Sequence, residues 1–344
     1  MSKAVKLADI AKRVGVSTVT VSKALSGQKG VSEELREKII ELAEEMDYKQ
    51  PSVARREMAA YKSYNIAVLI HEKYFDKYDS FYLRFYQTIN SKCIAKGSFS
   101  LMEIISGDDE KNLVLPRVIQ EKKADGIMIL GKFDHSYSDF ISKKVTDIPI
   151  IYCDASDIKN SVDSVISDSF YGAYYLTNYL FSQGHRQIGF VGTILSTGSI
   201  TDRYLGYKKS LLEHGVEERK DWIIDDRPMD FGKIFDVHEF EFPAELPTAF
   251  VCNSDYTASM VIKKLNSMGY MVPDDISVVG YDNYLYPGLC DVELTTYEVD
   301  MNEMAQIAVK LLLQKISGAD YKTGIRIVDG KLIIRDSVKK LAET

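Results

Sequence analysis

The chain has 344 residues, 45% of them hydrophobic and 27% charged, and a formal net charge of −7; that composition suits two or three globular domains and excludes wholesale disorder. The charge is uneven: residues 1–62 carry 12 basic and 9 acidic side chains, the remainder 31 and 41, and residues 1–30 alone six against one. An acidic body excludes indiscriminate coating of nucleic acid, because phosphates repel it, while a short basic head can still approach a phosphate backbone.

The head comes first in the chain. Residues 1–48 are helix-patterned, with few aromatics. A first helix is predicted over Leu7–Val14, a glycine turn at Gly15, and a second helix over Thr18–Leu25 with Ser17 as its N-cap. Ala11, Gly15 and Val21 stand at the spacing a tight helix-turn-helix needs: a small residue for close approach, a glycine for the turn, a β-branched plug at the joint. Ser32 opens a third helix, with Glu33 and Glu34 in its positively polarised first turn and Leu35, Ile39, Leu42, Ala43 and Met46 as its apolar stripe. Thr18, Thr20, Ser22 and Lys23 project polar groups from the second helix toward bases or phosphates. A generic three-helix bundle has the same stripe, and the basic excess favours the DNA-reading module over it.

A linker follows, Gln50 to Ala60, with Pro51 suited to a first helical position. About nine residues are too few for a stable isolated helix, so its ordering is expected to couple to binding; a passive basic linker is the alternative.

From Tyr64 onward short apolar runs alternate with amphipathic stretches. Ile66–Ile70, Ile127–Leu130, Ile148–Tyr152, Ile188–Val191, Ala249–Cys252 and Ile276–Val279 are β-branched and bounded by polar or Gly/Pro residues, as buried parallel strands are. Helices are predicted over Phe81–Ala95, Asp168–Gln183, Thr201–His214, Asp255–Met268 and Asn302–Ile316. The alternation indicates an α/β body with parallel sheets, in one sheet or two consecutive lobes. Polar residues stand where strands end, namely Asp154, Asp255 and Asp282, and ligands of α/β sheets gather at such carboxyl ends. Arg203 lies at a helix start and can donate to an oxygen-rich ligand. Asp255 reads equally well as a helix cap.

No apolar run approaches the ~20 residues of a membrane helix, and Met1–Lys6 lead into no unbroken apolar region, so a secretory signal is not expected and a cytoplasmic location is. Cys93, Cys153, Cys252 and Cys290 show neither CxxC nor zinc spacing and read as free thiols. The histidines form no HExxH, and His185 reads as structural; no metal or cofactor is expected.

The run Lys6-Leu7-Ala8-Asp9-Ile10-Ala11-Lys12-Arg13-Val14-Gly15-Val16-Ser17, continued by Thr20-Val21-Ser22-Lys23-Ala24-Leu25-Ser26-Gly27 and by Val31-Ser32-Glu33-Glu34-Leu35-Arg36 to Asp47-Tyr48, closely resembles the N-terminal signature of the lactose-repressor (LacI/GalR) family. The resemblance runs on through Gly184-His185-Arg186, Arg203-xx-Gly206-Tyr207, Pro247-Thr248-Ala249 and Val272-Pro273-Asp274-Asp275-Ile276-Ser277-Val278-Val279-Gly280-Tyr281-Asp282. It implies a helix-turn-helix domain at 1–49, a hinge at 50–63, and a two-lobed periplasmic-binding-protein-like body, its first lobe 64–165 with 297–322 and its second 166–296 with 323–344.

It further implies DNA contacts by Ser17, Thr18, Val19, Thr20, Ser22, Lys23, Ser32 and Tyr48. Thr18 and Val19 fall on the pair that selects the operator. Lys23 stands where arginine is usual, a point charge rather than a bidentate fork, and Lys6 replaces a capping threonine. Hinge residues Val53, Ala54, Arg55 and Met58 would meet the minor groove; Glu57 occupies the place of the wedging leucine, and a one-residue shift brings Met58 there.

In the body the resemblance implies effector contacts by Arg203 and Asp282, with Asp154, Ser199, Ser254 and Asp255 near them and Phe231 stacking on the ligand or sitting in the core. Tyr74 and Tyr78 lie in a tyrosine-rich stretch that replaces a shorter family segment; they line the cleft mouth or form a dimer surface. The expected protein is a repressor without enzymatic activity. It acts as a homodimer on pseudo-palindromic operator DNA and is controlled by a small effector, a carbohydrate first and a purine or phosphorylated compound next. A solute-binding protein or an α/β enzyme built on the same body are the other classes.

Overall fold

A computed structural model describes residues 7–25, 30–46, 48, 63–75, 81–156, 162–229, 234–284 and 287–342, which divide into a unit ending at Ser63 and a unit beginning at Tyr64. In the first, α1 (Leu7–Val14), α2 (Thr18–Leu25) and α3 (Glu33–Glu45) follow one another. Gly15, at φ +79°, turns the chain between α1 and α2, and the Gly15 and Val16 amides both donate to the Ala11 carbonyl. Ser17 caps α2 by accepting the Thr20 N–H at 3.1 Å. Ile10, Ala11, Val21, Ala24, Ile39 and Ala43 close a small core. The Arg36 guanidinium donates to the Ala24 carbonyl at 2.8 Å, tying α3 to the end of α2.

The second unit begins with β1 (Asn65–His71), α4 (Phe81–Ala95), β2 (Phe99–Ile105), α5 (Gly107–Lys111), α6 (Arg117–Gln120), β3 (Gly126–Leu130), α7 (His135–Lys144), β4 (Ile150–Cys153) and β5 (Ser164–Ser167). It continues with α8 (Ser169–Ser182), β6 (Ile188–Val191), α9 (Gly198–Glu213), β7 (Ile223–Ile224), β8 (Ala249–Cys252), α10 (Asp255–Ser267) and β9 (Ser277–Val279), and ends with β10 (Thr296–Glu298), α11 (Met301–Ser317), β11 (Ile325–Val328) and β12 (Lys331–Ile333).

Two parallel sheets result. The first has the order β11-β5-β4-β3-β1-β2, the second β7-β6-β8-β9, and β10 pairs with β12 as an antiparallel ribbon. Helices cover both faces of each sheet, which is why the central strands are apolar without alternation. Phe85 and Ile89 of α4 and Met304, Ala308 and Leu312 of α11 pack on one face of the first sheet; Ile119, Tyr137 and Ile141 pack on the other. In the second lobe α8 and α9 cover one face and α10 the other. At Gly206 an added Cβ would lie 2.0 Å from the Phe170 carbonyl oxygen, so α8 and α9 approach as closely as they do only because that side chain is missing.

The chain crosses between lobes three times: from β5 to α8, between β9 and α11 by way of β10, and after β11. This corrects two expected boundaries. The cut at 165/166 falls inside β5, whose four residues all belong to the first sheet. The return expected at 323 comes later, because β11 adds to β5 over Ile325–Val328. The C-terminal tail then lies on the second lobe, where Ser337 Oγ donates to the Val278 carbonyl and the Leu341 N–H to that of Gln183.

Candidate functional site

In the body, loops at the carboxyl ends of both sheets enclose a cleft lined by Tyr74, Tyr82 and Asp154 on the first-lobe side and by Ser199, Arg203, Arg227, Asn253, Ser254, Asp282 and Tyr284 on the second. The cavity between them has a volume of about 100 Å³. A second chamber continues past Tyr74, Tyr82 and Asp154 toward Lys132, Ser138 and Asp202.

Arg203 is the centre of the cleft. It sits one and a half turns into α9, is buried, and donates through Nη1 to the Asn253 carbonyl and through Nη2 to Asp282 Oδ1 at 3.3 Å. Its guanidinium lies 3.6 Å from the centroid of the Tyr281 ring. Burial works against its charge, but Asp282, Tyr281 and Asp154 outweigh burial and its hold on the proton is raised. Its Nε is the one buried side-chain nitrogen or oxygen among the described residues without a hydrogen-bond partner. Leaving a buried donor unpaired costs about 1–3 kcal/mol, so this position favours a hydrogen-bond acceptor.

The carboxylates stand on unusual backbone. Asp154 has φ +58°, Asp282 φ +106° and Asn283 φ +50°, conformations that cost an L-residue of order 1 kcal/mol or more and cluster at functional sites. Asp154 accepts the Tyr82 hydroxyl at 2.6 Å; burial pushes its pKa up, against that bond and the Arg203 charge.

Asp255 corrects its expected role. Ser254, which does line the cleft, caps α10 by accepting the Thr257 N–H at 3.1 Å. Asp255 points away: Oδ1 accepts the Thr296 hydroxyl at 2.7 Å and Oδ2 the Tyr284 N–H at 2.8 Å. It is a buried pin that holds the strained 282–284 turn rather than a ligand contact, and burial raises its pKa to about 7.

Tyr74 reaches the cleft because the turn before it is tied down. His71 Nδ1 accepts the Lys73 N–H at 3.0 Å, so Nε2 carries the proton toward Glu110, 3.1 Å away. The Tyr74 hydroxyl is engaged by the Lys132 N–H at 2.6 Å, and its ring packs 4.2 Å from that of Tyr82; it is a wall, not a free donor. Ser199 bonds to Thr197 at 3.1 Å on the cleft rim. Phe231 and Tyr78 lie outside the described residues.

The residue reading did not single out Tyr82, Lys132, Arg227 and Asn253. Arg227 pairs bidentately with Asp226, at 3.1 and 2.7 Å. Asp226 is fully buried and also accepts from Thr193, Asn253 and Thr257. Burial opposes its charge, but Arg227 and these donors lower its pKa to about 2. Lys132 crosses the cleft to donate to the Ser196 carbonyl at 2.9 Å. Only Asn253 carried a signal in the sequence, directly before Ser254 and Asp255 at a strand end. His185 is buried between Thr248 and the Lys339 carbonyl, a structural tie.

In the head, Ser17, Thr18, Val19 and Lys23 are exposed on α2, while Thr20 and Ser22 are half-buried. Ser32 is exposed at the start of α3, where its carbonyl accepts the Arg36 N–H. Tyr48 is half-buried against the head core. Val53, Ala54, Arg55, Glu57 and Met58 lie outside the described residues.

Residues 6–51 match the family described as bacterial regulatory proteins, lacI family, and residues 177–338 match the periplasmic binding protein-like domain. The HTH-type transcriptional repressor PurR of Mannheimia succiniciproducens is 27% identical over 337 residues, 97% of this chain and 98% of that protein. Its namesake in Pectobacterium carotovorum is 28% identical over 333 residues, 96% of each. Among solved structures, the lac repressor dimer bound to operator and the anti-inducer ONPF has a TM-score of 0.64 at 24% identity, covering 98% of this chain and all of that one. The complex of the transcriptional regulator CelR with cellobiose has a TM-score of 0.66 at 19% identity, covering 97% and 99%.

Proposed function

This chain belongs to the lacI family of bacterial regulatory proteins, a cytoplasmic DNA-binding transcriptional repressor with an effector-binding domain and not an enzyme, and from that premise we propose that a hydroxyl-rich small molecule, a sugar or sugar derivative, binds the cleft and sets its affinity for operator DNA. The empty Arg203 Nε carries this reading: a buried donor beside two carboxylates suits a neutral ligand that both gives and accepts hydrogen bonds. The cellobiose held by the similar regulator supports it. The tyrosine walls, Tyr82, Tyr256 and Tyr284, favour as a second reading a flat nitrogen heterocycle such as a purine base.

Arg203 and Asp282 anchor the ligand, Asp154 meets it from the first lobe, and Ser199 and Ser254 line its rim. Two chains associate and hold two heads over a pseudo-palindromic site. Thr18 and Val19 select bases, Lys23 holds a phosphate, and Val53, Ala54, Arg55 and Met58 carry the minor-groove contacts. Lobe closure on the effector changes the spacing of the heads, so effector and operator change each other's affinity by one common factor.

A thermal-shift screen of mono- and disaccharides and purine bases against the full chain tests this. A ligand of the folded state raises the melting temperature, and Arg203→Lys, which keeps the charge but loses the fork, is expected to weaken the hit at least tenfold. Unchanged affinity in that variant removes Arg203 from the site, and silence across the screen overturns the effector reading.

A further inference from the structure

Apart from the cleft, a second pocket opens where the three lobe-crossing segments meet. It is lined by Asp168 from the first crossing, Tyr297 from the second, Asp329 and Gly330 from the third, and Tyr171 and Tyr175 of α8. We propose that this pocket is a second ligand site, one that takes a small organic ammonium ion.

Three phenol rings and two carboxylates converge on it. Tyr171 and Tyr175 are one helical turn apart, with centroids 6.2 Å apart and planes inclined by 32°. They are 46% and 50% exposed although Phe170 and Tyr174 pack beside them, with centroids 5.2 Å and 6.1 Å from that of Tyr171, and exposed aromatic surface of that size marks an interaction site. Asp168 caps α8 by accepting the Tyr171 N–H at 3.0 Å, which answers the partial positive charge of the helix end. Asp329 is left over: among the described residues neither it nor Asp168 has an ion-pair partner. A cation fits this set, since ring faces and carboxylates both attract it; an anion does not. Rings in place of further oxygens favour an organic ammonium over a metal ion, which prefers oxygen ligands.

The site is also tied to the segments that join the two lobes. The Tyr297 hydroxyl accepts the Gly330 N–H at 2.9 Å, and its ring lies 5.3 Å from that of Tyr281. Tyr281 donates to the Asp168 carbonyl at 3.0 Å and carries Arg203 on its face. An ion seated here touches all three crossings, so its binding is linked to that of a ligand in the cleft.

The test is calorimetric titration of the full chain with tetramethylammonium chloride and with putrescine, against equal ionic strength of sodium chloride. Saturable binding of either supports the site; a preference for the first marks a quaternary headgroup, for the second a diamine that meets both carboxylates. Tyr175→Leu, which keeps bulk but removes the ring, is expected to weaken binding roughly three- to fivefold. Tyr175→Phe is expected to retain it, and Asp329→Asn to weaken it at least twofold. Tyr175 is half-exposed, so these variants fold. Binding of neither ion beyond sodium, or equal binding by the Leu and Phe variants, overturns the proposal.

Discussion

Single residues at the cleft divide into those that face it and those that hold the facing ones in place. Asp255 is buried, pinned by Thr296 and Tyr284, with its pKa raised to about 7. Its folded value thus lies above its unfolded value near 3.8. Between those values the folded chain keeps a proton that the unfolded chain has lost, so this group's contribution is full at low pH and declines as pH rises toward 7. The slope cannot exceed about 1.4 kcal/mol per pH unit for one proton. Asp255→Asn is expected to flatten the fall in stability between pH 5 and 7, read by urea unfolding at several pH values. An unaltered profile would show that Asp255 titrates normally and that burial does not govern it. Residue identity alone was a poor guide here. Ser254 and Asp255 are adjacent at a strand end, and the sequence offers no sign of which side chain turns to the cleft. The backbone decides, because Ser254 takes the cap and Asp255 is thereby aimed at the Thr296 crossing. Arg227 was hidden for the same reason: its role depends on Asp226, which reaches Asn253 and Thr257 only after the second sheet has formed.

Elements were legible where their own residues determine them. The helices over Leu7–Val14, Thr18–Leu25 and Phe81–Ala95 match expectation to the residue, since caps, glycine turns and apolar stripes are local signals. The central strands β1, β3, β6 and β8 were legible as apolar runs between covered faces. Six strands were left unread, β2, β5, β7, β10, β11 and β12, and in three of them partners supply the order: β2 at the sheet edge mixes exposed and buried positions, β5 carries serines at both ends, and β11 is mostly exposed and recognisable only by its pairing with β5. That missing edge strand is what displaced the expected lobe boundary. The turn in the head gives a test at this scale. Around Gly15 an added Cβ meets nothing within 4 Å, so steric room is ample and only its φ of +79° demands glycine. Gly15→Ala is expected to cost the head about 1–2 kcal/mol and to weaken operator binding, with Gly15→Asn recovering part of both because asparagine tolerates left-handed backbone. Equal melting of the Ala variant and the parent head would show that the turn relaxes without strain.

For the whole molecule the division of charge becomes a division of labour. Residues 1–62 carry +3 and the remainder −10, and the structure separates them near the same point, between Ser63 and Tyr64. Phosphate contacts release counterions, so the dependence of operator affinity on salt counts the cations engaged, with a slope near −0.9 per contact for duplex DNA. All the exposed cations proposed for that contact lie in the head. A fragment of residues 64–344 is therefore expected to show no measurable duplex affinity at any salt concentration at which the full chain binds, while it keeps the thermal shift produced by the cleft ligand. Lys23→Ala in the full chain is expected to weaken binding to all sequences alike and to reduce the salt slope by about one for each head engaged. A change confined to one operator sequence would instead make Lys23 a reader of bases. Binding of duplex by the body fragment would assign the acidic lobes a DNA role that their charge opposes, and both measurements can be made by fluorescence anisotropy across a salt series.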